Sequence, residues 1–215
     1  MQNQVSDQNS NQQPDNSWIA ELLRTVVLSI LLALGIRTFV AEARWIPSGS
    51  MEPTLHGTTN QWEADKIIVD KLKYKFSDPQ RGDIVVFSPT AELQKEDYQD
   101  AFIKRVIGLP GEKVELREGN VFINGKQLPE TNYLSKDKER TSIEVCTSGK
   151  NPPFLYQPTT IPKGQYLVLG DNRTQSYDGR CWGLVPRENI IGRAVVRFWP
   201  LNKVGGLDTK SPLYP

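Results

Sequence analysis

A mostly β domain carried behind one N-terminal membrane helix is the fold class that the sequence predicts. Three observations lead to it. One long apolar run lies near the start of a chain whose mean hydropathy, −0.47, is that of a water-soluble protein. Short β-type runs with turn punctuation follow it. The length, 215 residues, suffices for one medium domain with appendages and not for two large ones.

Residues 1–16 are Asn- and Gln-rich and carry no Lys or Arg. Such a stretch buries too little apolar surface to offset its ordering entropy, so it is expected to be disordered. The run WIAELLRTVVLSILLALGIRTFV follows, from Trp18 to Val40. Its uninterrupted apolar core, Thr25 to Ile36, is short for a bilayer, but the full 23 residues make roughly 34 Å of helix. Glu21 and Arg24 would lie near one interface and Arg37 near the other, where arginines can snorkel, and Trp18 suits a headgroup belt. Two alternatives compete with a membrane anchor. One is a buried core helix. The other is a cleaved secretory signal, because Ala41-Glu42-Ala43 is a small-x-small pattern of the kind found at such cuts, although no basic residue precedes Arg24. Orientation is not readable from charge, since a long translocated domain escapes the positive-inside rule.

Beyond the helix, Lys66–Lys71, Asp83–Phe87, Val114–Leu116, Val121–Ile123, Tyr166–Leu169 and Ala194–Phe198 read as strands. Arg117-Glu118-Gly119-Asn120 and Asn124-Gly125 read as tight turns. The expected plan is a tail at 1–16, an anchor at 17–41, a β-rich domain at 42–200 and a loose tail at 201–215. Within the domain, residues 129–164 are an irregular polar insertion.

Composition narrows the chemistry. Basic and acidic groups number 26 and 25, a formal charge of +1, which argues against nucleic-acid binding by bulk phosphate attraction. One histidine, His56, and two cysteines, Cys146 and Cys181, cannot build a zinc site of the usual kind. A histidine-based triad would have to run through His56 alone, so a base other than histidine is expected.

Three stretches carry chemistry. In IPSGSMEPTL (Ile46–Leu55) two prolines and a glycine fix an exposed backbone around Ser48 and Ser50, which suits a presented hydroxyl with free N–H groups nearby, or an ordinary loop. In AFIKRVIGLPG, Lys104 lies in an alternating strand. If it shares a face with Phe102, desolvation lowers its pKa towards that of a general base; otherwise it is a surface lysine beside Arg105. In LGDNRTQSYDGRCWG, Asp178 and Arg180 share a face if extended and would form an ion pair. Calcium is not expected there, because the closing glutamate and flanking helices of a calcium loop are missing.

Taken together and in order, the membrane helix, PSGSMEPTL, RGDIVVF, IKRVIGLPGEKV and GDNRTQSYDGRCWGLVP resemble the type I signal peptidases of bacteria, most nearly the single-anchor cyanobacterial and chloroplast forms. The resemblance runs from about Trp18 to Phe198 and implies a mostly antiparallel β domain with a barrel-like core. It also implies a membrane-bound serine endopeptidase that removes signal peptides from exported preproteins, without cofactor or metal. It places Ser50 as nucleophile, Lys104 as general base, Ser48 beside the Ser50 N–H in the oxyanion hole, Ser176 as the hydroxyl orienting the lysine, and Asp178 with Arg180 as the supporting pair. Ile46, Pro47, Met51, Leu55, Phe102 and Ile103 become candidates for two shallow pockets that take small residues one and three positions before the cut. Thr174, Gln175 and Cys181 depart from residues common in relatives, and none removes a reacting group.

The implied setting is the plasma membrane or thylakoid membrane, with one pass, a cytoplasmic tail and the catalytic domain on the periplasmic or lumenal side. Partners are the lipid bilayer and the signal peptides, with no nucleic acid; Trp45 and Trp62 are candidates for seating the domain on lipid. Ala41-Glu42-Ala43 invites slow self-cleavage after Ala43. On the oxidising side of a membrane Cys146 and Cys181 could pair; two unpaired thiols are the alternative. Two rival functions share parts of this pattern. A self-cleaving repressor would need a DNA-binding module where the helix lies, and a tethered peptide-binding domain would not need both Ser50 and Lys104.

Overall fold

A computed structural model describes residues 17–134, 141–146 and 153–207. The expectations for 1–16, for residues 135–140 and 147–152 of the insertion and for the last eight residues lie outside the described residues. Helix α1 (Ser17–Phe39) is 23 residues long, and its Trp18–Phe39 stretch is apolar enough to cross a membrane, with none of it buried against the rest of the chain. A core helix of a soluble domain would be largely buried, so the first alternative fails. Val40 alone separates α1 from strand β1 (Ala41–Trp45), so the domain begins one residue before the expected boundary.

The main sheet has eight antiparallel strands. Its path runs β1, β2 (Lys66–Asp70), β11 (Ile190–Trp199), β3 (Ile84–Phe87), β4 (Phe102–Gly108), β9 (Gln165–Leu169), β10 (Val185–Pro186), with β12 (Gly205–Gly206) on the other side of β11. A smaller sheet orders β7 (Lys126–Gln127), β6 (Asn120–Ile123), β5 (Lys113–Arg117) and β8 (Thr159–Thr160). This is a half-barrel, and each strand read from the sequence is present. Both turns form as read: Glu118 and Gly119 (φ +50° and +83°) close β5 onto β6, and Asn124 and Gly125 (φ +51° and +81°) close β6 onto β7. Positive φ at both central residues is what the type I′ turn of a two-residue hairpin requires.

Strand β3 explains the burial. Ile84 and Val86 pack into one core with Ile67, Val69 and Ile103, while Val85 and Phe87 pack into a second with Val106 and Val168. Both faces are covered, which is why this run is apolar without alternation. The C-terminal reading needs correction: Gly205–Gly206 pair with Val196–Arg197, and Leu207 is buried in the first core, so the chain stays in the sheet past residue 200. The insertion contributes β8 to the smaller sheet, and Cys146 and Cys181 are joined by a disulfide. Ala41, Glu42 and Ala43 pair with Asp70, Val69 and Ile68, so the bond after Ala43 is held in a ladder and must be unzipped before any enzyme can cut it.

Candidate active site

Ser50 lies in a 3-10 turn (Gly49–Met51) that leaves β1 through Ile46-Pro47-Ser48. Lys104 stands on β4, paired with Val85 of β3. Fifty-four residues apart in sequence, the two meet with Lys104 Nζ 2.9 Å from Ser50 Oγ. Lys104 is 3% exposed and Ser50 8%. Burial disfavours the ammonium and brings its pKa from 10.5 down to about 8, with Asp178 and Asp171 pulling it back up in part. Lys104 Nζ also reaches the Ile103 carbonyl at 2.9 Å and lies 5.6 Å from the Phe102 ring centre. Of the two readings of this lysine, the apolar, cleft-facing one holds.

Ser48 has extended backbone, and its hydroxyl donates to Ser50 Oγ at 3.2 Å. Asp178 and Arg180 form a doubly hydrogen-bonded pair (2.8 Å twice), with both side chains fully buried. The segment is not extended, however. Asp178 caps the short helix Gly179–Trp182, accepting from Arg180 N, and its other oxygen accepts from Gly170 N at 2.9 Å. Burial opposes the charge of Asp178, but the Arg180 guanidinium outweighs it and holds the carboxyl below the ordinary range. Ser176 is buried, and its Oγ makes no hydrogen bond of ordinary geometry; the lysine is held by Ser50 and Ile103 instead.

The pocket candidates divide. Pro47, Phe102 and Ile103 line a cleft of about 390 Å³ that also takes in Ser48, Ser50, Lys104, Tyr98, Gln175 and Tyr177. The same three, with Ile46, Ile67, Val86 and the β1 residues Glu42 to Trp45, line an adjoining cleft of about 340 Å³. Met51 and Leu55 are fully buried in the core beneath, because their turn folds inward, and they form the wall of neither. Among the described residues, strand β1 pairs with β2 alone, and Phe102–Lys104 pair with β3 alone, since β9 joins β4 from Arg105 onward. The clefts therefore run between two strand edges.

Several positioning residues escaped the sequence reading. Asp171 accepts from Arg105 through both oxygens (2.8 and 2.6 Å) and from Thr54 Oγ1 at 2.5 Å, which ties the serine loop to β4. Asn172 donates to the Ser50 and Gly49 carbonyls, each at 3.1 Å. Two glycines are pressed against the loop. A Cβ on Gly57 would sit 1.8 Å from the Ser48 carbonyl oxygen, and one on Gly170 would sit 2.5 Å from that of Ser50 and 2.1 Å from Ser176 Oγ. Gly170 directly precedes the acidic loop, a signal that was present in the sequence; nothing local marked Gly57.

The site thus joins an apolar helix to an antiparallel half-barrel, with a serine and a desolvated lysine facing each other in a cleft. Residues 19–199 match the family model described as signal peptidase, peptidase S26. The chain is 50% identical over 192 residues to a probable signal peptidase I-2 of Synechocystis sp., covering 89% of this chain and 78% of that one. It is 49% identical to a signal peptidase I of Leptolyngbya laminosa (92% and 88% covered) and 33% identical to the chloroplastic thylakoidal processing peptidase 1 of Arabidopsis thaliana (92% and 56%). A crystal structure of a signal peptidase I from Enterococcus faecalis aligns at 34% identity over 54% of this chain and 97% of that one, with a TM-score of 0.39. The chain belongs to the signal peptidase family, peptidase S26.

Proposed function

We propose that this chain removes signal peptides from translocated preproteins by a Ser50/Lys104 dyad, cutting after small residues at the first and third positions before the scissile bond. The observation that carries the reading is the buried Lys104 Nζ at 2.9 Å from Ser50 Oγ on a cleft between two strand edges. An extended preprotein segment adds to those edges, and its alternate side chains enter the two adjoining clefts. Those walls, built by Ile46, Pro47, Phe102 and Ile103, leave room for small groups.

Neutral Lys104 takes the Ser50 hydroxyl proton as Oγ bonds to the scissile carbonyl carbon. The Ser48 hydroxyl and the Ser50 N–H receive the developing oxyanion. The tetrahedral adduct collapses to an ester, and Lys104 returns the proton to the departing amine. Lys104 then deprotonates a water that hydrolyses the ester and frees Ser50. Asp178, held by Arg180, keeps the acidic loop folded behind the lysine. Ser176 Oγ, buried beside Asp178, is the acceptor that steadies Lys104 while Ser50 is acylated. Helix α1 spans the plasma membrane or thylakoid membrane once and leaves the domain on the periplasmic or lumenal side, where preproteins emerge.

The test is cleavage of a preprotein carrying alanines at both recognition positions by the reconstituted full chain. A single cut after the second alanine, lost in Ser50→Ala, is expected. Ser48→Ala is expected to lose about 10²–10³-fold in kcat, as other single oxyanion donors do. Cleavage by Ser50→Ala at the parent rate would overturn the assignment.

A further inference from the structure

The turn Lys71–Phe76 lies where α1 leaves for the domain, and no step of the proposed mechanism uses it. Lys71 N donates to the Val40 carbonyl at 2.9 Å, and Lys71 Nζ reaches the Arg37 carbonyl at 3.3 Å. Helix α2 (Lys73–Phe76) places Lys75 Nζ 5.4 Å from the ring centre of Phe39, in the last turn of α1. Phe76 is 86% exposed, on a turn that is firmly held. Tyr74 is buried and donates to Asp83 Oδ2 at 2.8 Å, and Arg187 donates to the Tyr74 and Ser77 carbonyls. A rigid turn that thrusts one phenylalanine outward, beside a fully exposed apolar helix end, calls for an apolar surface to receive it.

Charge identifies that surface. The acids nearby are engaged elsewhere: Glu42 with Lys71 and Arg44, Asp78 with Arg187, and Asp70 with the N–H groups of Leu72 and Lys73. Among the described residues, none of them pairs with Lys73 or Lys75. An aromatic ring flanked by lysines that have no carboxylate partner among the described residues, at the mouth of a membrane-length helix, matches the boundary between acyl chains and anionic headgroups.

We propose that Lys73–Phe76 is a second, lipid-contacting foot, with Phe76 seated at the headgroup boundary and Lys73 and Lys75 on anionic lipid phosphates. The inference rests on the reading of α1 as a membrane span. A single helix is a swivel; a second contact fixes the tilt of the domain. Because β1 starts at Ala41 and forms one wall of the substrate cleft, the foot sets the height and angle at which the cleft meets a membrane-held preprotein.

The paired native cysteines make site-specific labelling straightforward. Full-length Phe76→Cys and, separately, Leu31→Cys are labelled with an environment-sensitive fluorophore and reconstituted in phosphatidylcholine vesicles with or without phosphatidylglycerol. The expected result is quenching of the 76 label by a shallow lipid-borne quencher, stronger with phosphatidylglycerol, and of the 31 label by a deep one. Each of Lys73→Gln and Lys75→Gln is expected to lower the docked-to-undocked ratio about fivefold in anionic vesicles. Phe76→Ser slows cleavage of a vesicle-inserted preprotein while a short soluble peptide is cut at the parent rate. A water-exposed 76 label beside a deeply quenched 31 label overturns the foot and leaves the span standing. A 31 label that no lipid quencher reaches overturns both.

Discussion

Replacing Lys104 by methionine separates the energetic cost of the site from its chemistry. The side chain is 3% exposed, and burial lowers its pKa from 10.5 to about 8. At about 1.36 kcal/mol per pH unit, holding the ammonium at neutral pH costs the fold about 3 kcal/mol. The sign follows from proton counts. Between pH 8 and 10.5 the unfolded chain binds the proton that the folded chain has released, so the parent gains stability as pH rises through that window and carries the full penalty below it. Lys104→Met has no such group. Its lost contacts to Ser50 Oγ and the Ile103 carbonyl cost a similar amount at every pH. Urea unfolding of parent and variant in detergent, at pH 7 and pH 10, isolates the difference. The gap between them is expected to move by about 2–3 kcal/mol in favour of the parent on going to pH 10. Parallel stabilities at the two pH values would refute the account of a buried, destabilised lysine.

Other consequences are as direct. The logarithm of kcat/KM is expected to rise with unit slope up to about pH 8 and flatten above it, because Lys104 must be neutral to accept the Ser50 proton; a profile flat from pH 6 to 9, measured with a soluble peptide, would exclude it as the base. Gly57→Ala and Gly170→Ala are expected to lower kcat about 10²-fold or more, since each added Cβ displaces the backbone of Ser48 or Ser50; parent kinetics in either would show that the loop yields. The double variant Cys146→Ser/Cys181→Ser opens a loop of 35 residues and is expected to lose about 4 kcal/mol of stability in the chain-entropy picture, read by urea unfolding. Arg105→Ala leaves the Asp171 carboxylate buried without its partner and is expected to cost about 3–5 kcal/mol, whereas an unchanged unfolding midpoint would mean that Thr54 alone satisfies it.

What the sequence disclosed and what it hid follow from the range of the interactions. Helix α1, the strands and the two hairpin turns are written in local patterns: a long apolar run, alternation, and Glu-Gly and Asn-Gly pairs at positive φ. Ser50 and Lys104 sit in local settings that read equally as an ordinary loop and a surface lysine, and it is the resemblance across all the motifs that assigns them. Their contact across 54 residues is a product of topology, which hangs the serine loop from β1 and lays it over β4. The resemblance offers Met51 and Leu55 as pocket lining, whereas the turn after Ser50 sends both into the core. Arg105 resembled a solvated neighbour of Lys104, yet its partner Asp171 arrives from 66 residues away. Gly57 owes its role to a backbone it touches only when folded. The residues after 200 lacked a strand pattern, and two glycines pair with β11 through backbone alone.

The central claim is that Ser50 and Lys104 act as one unit. Its most direct test is a double-mutant cycle of kcat/KM, from long single-turnover incubations of the reconstituted chain with one preprotein, over parent, Ser50→Ala, Lys104→Met and the double variant. If the lysine serves only to activate the serine, the double variant is expected to be no slower than either single one. Losses that multiply, or a Lys104→Met variant that keeps the parent rate, would contradict the dyad.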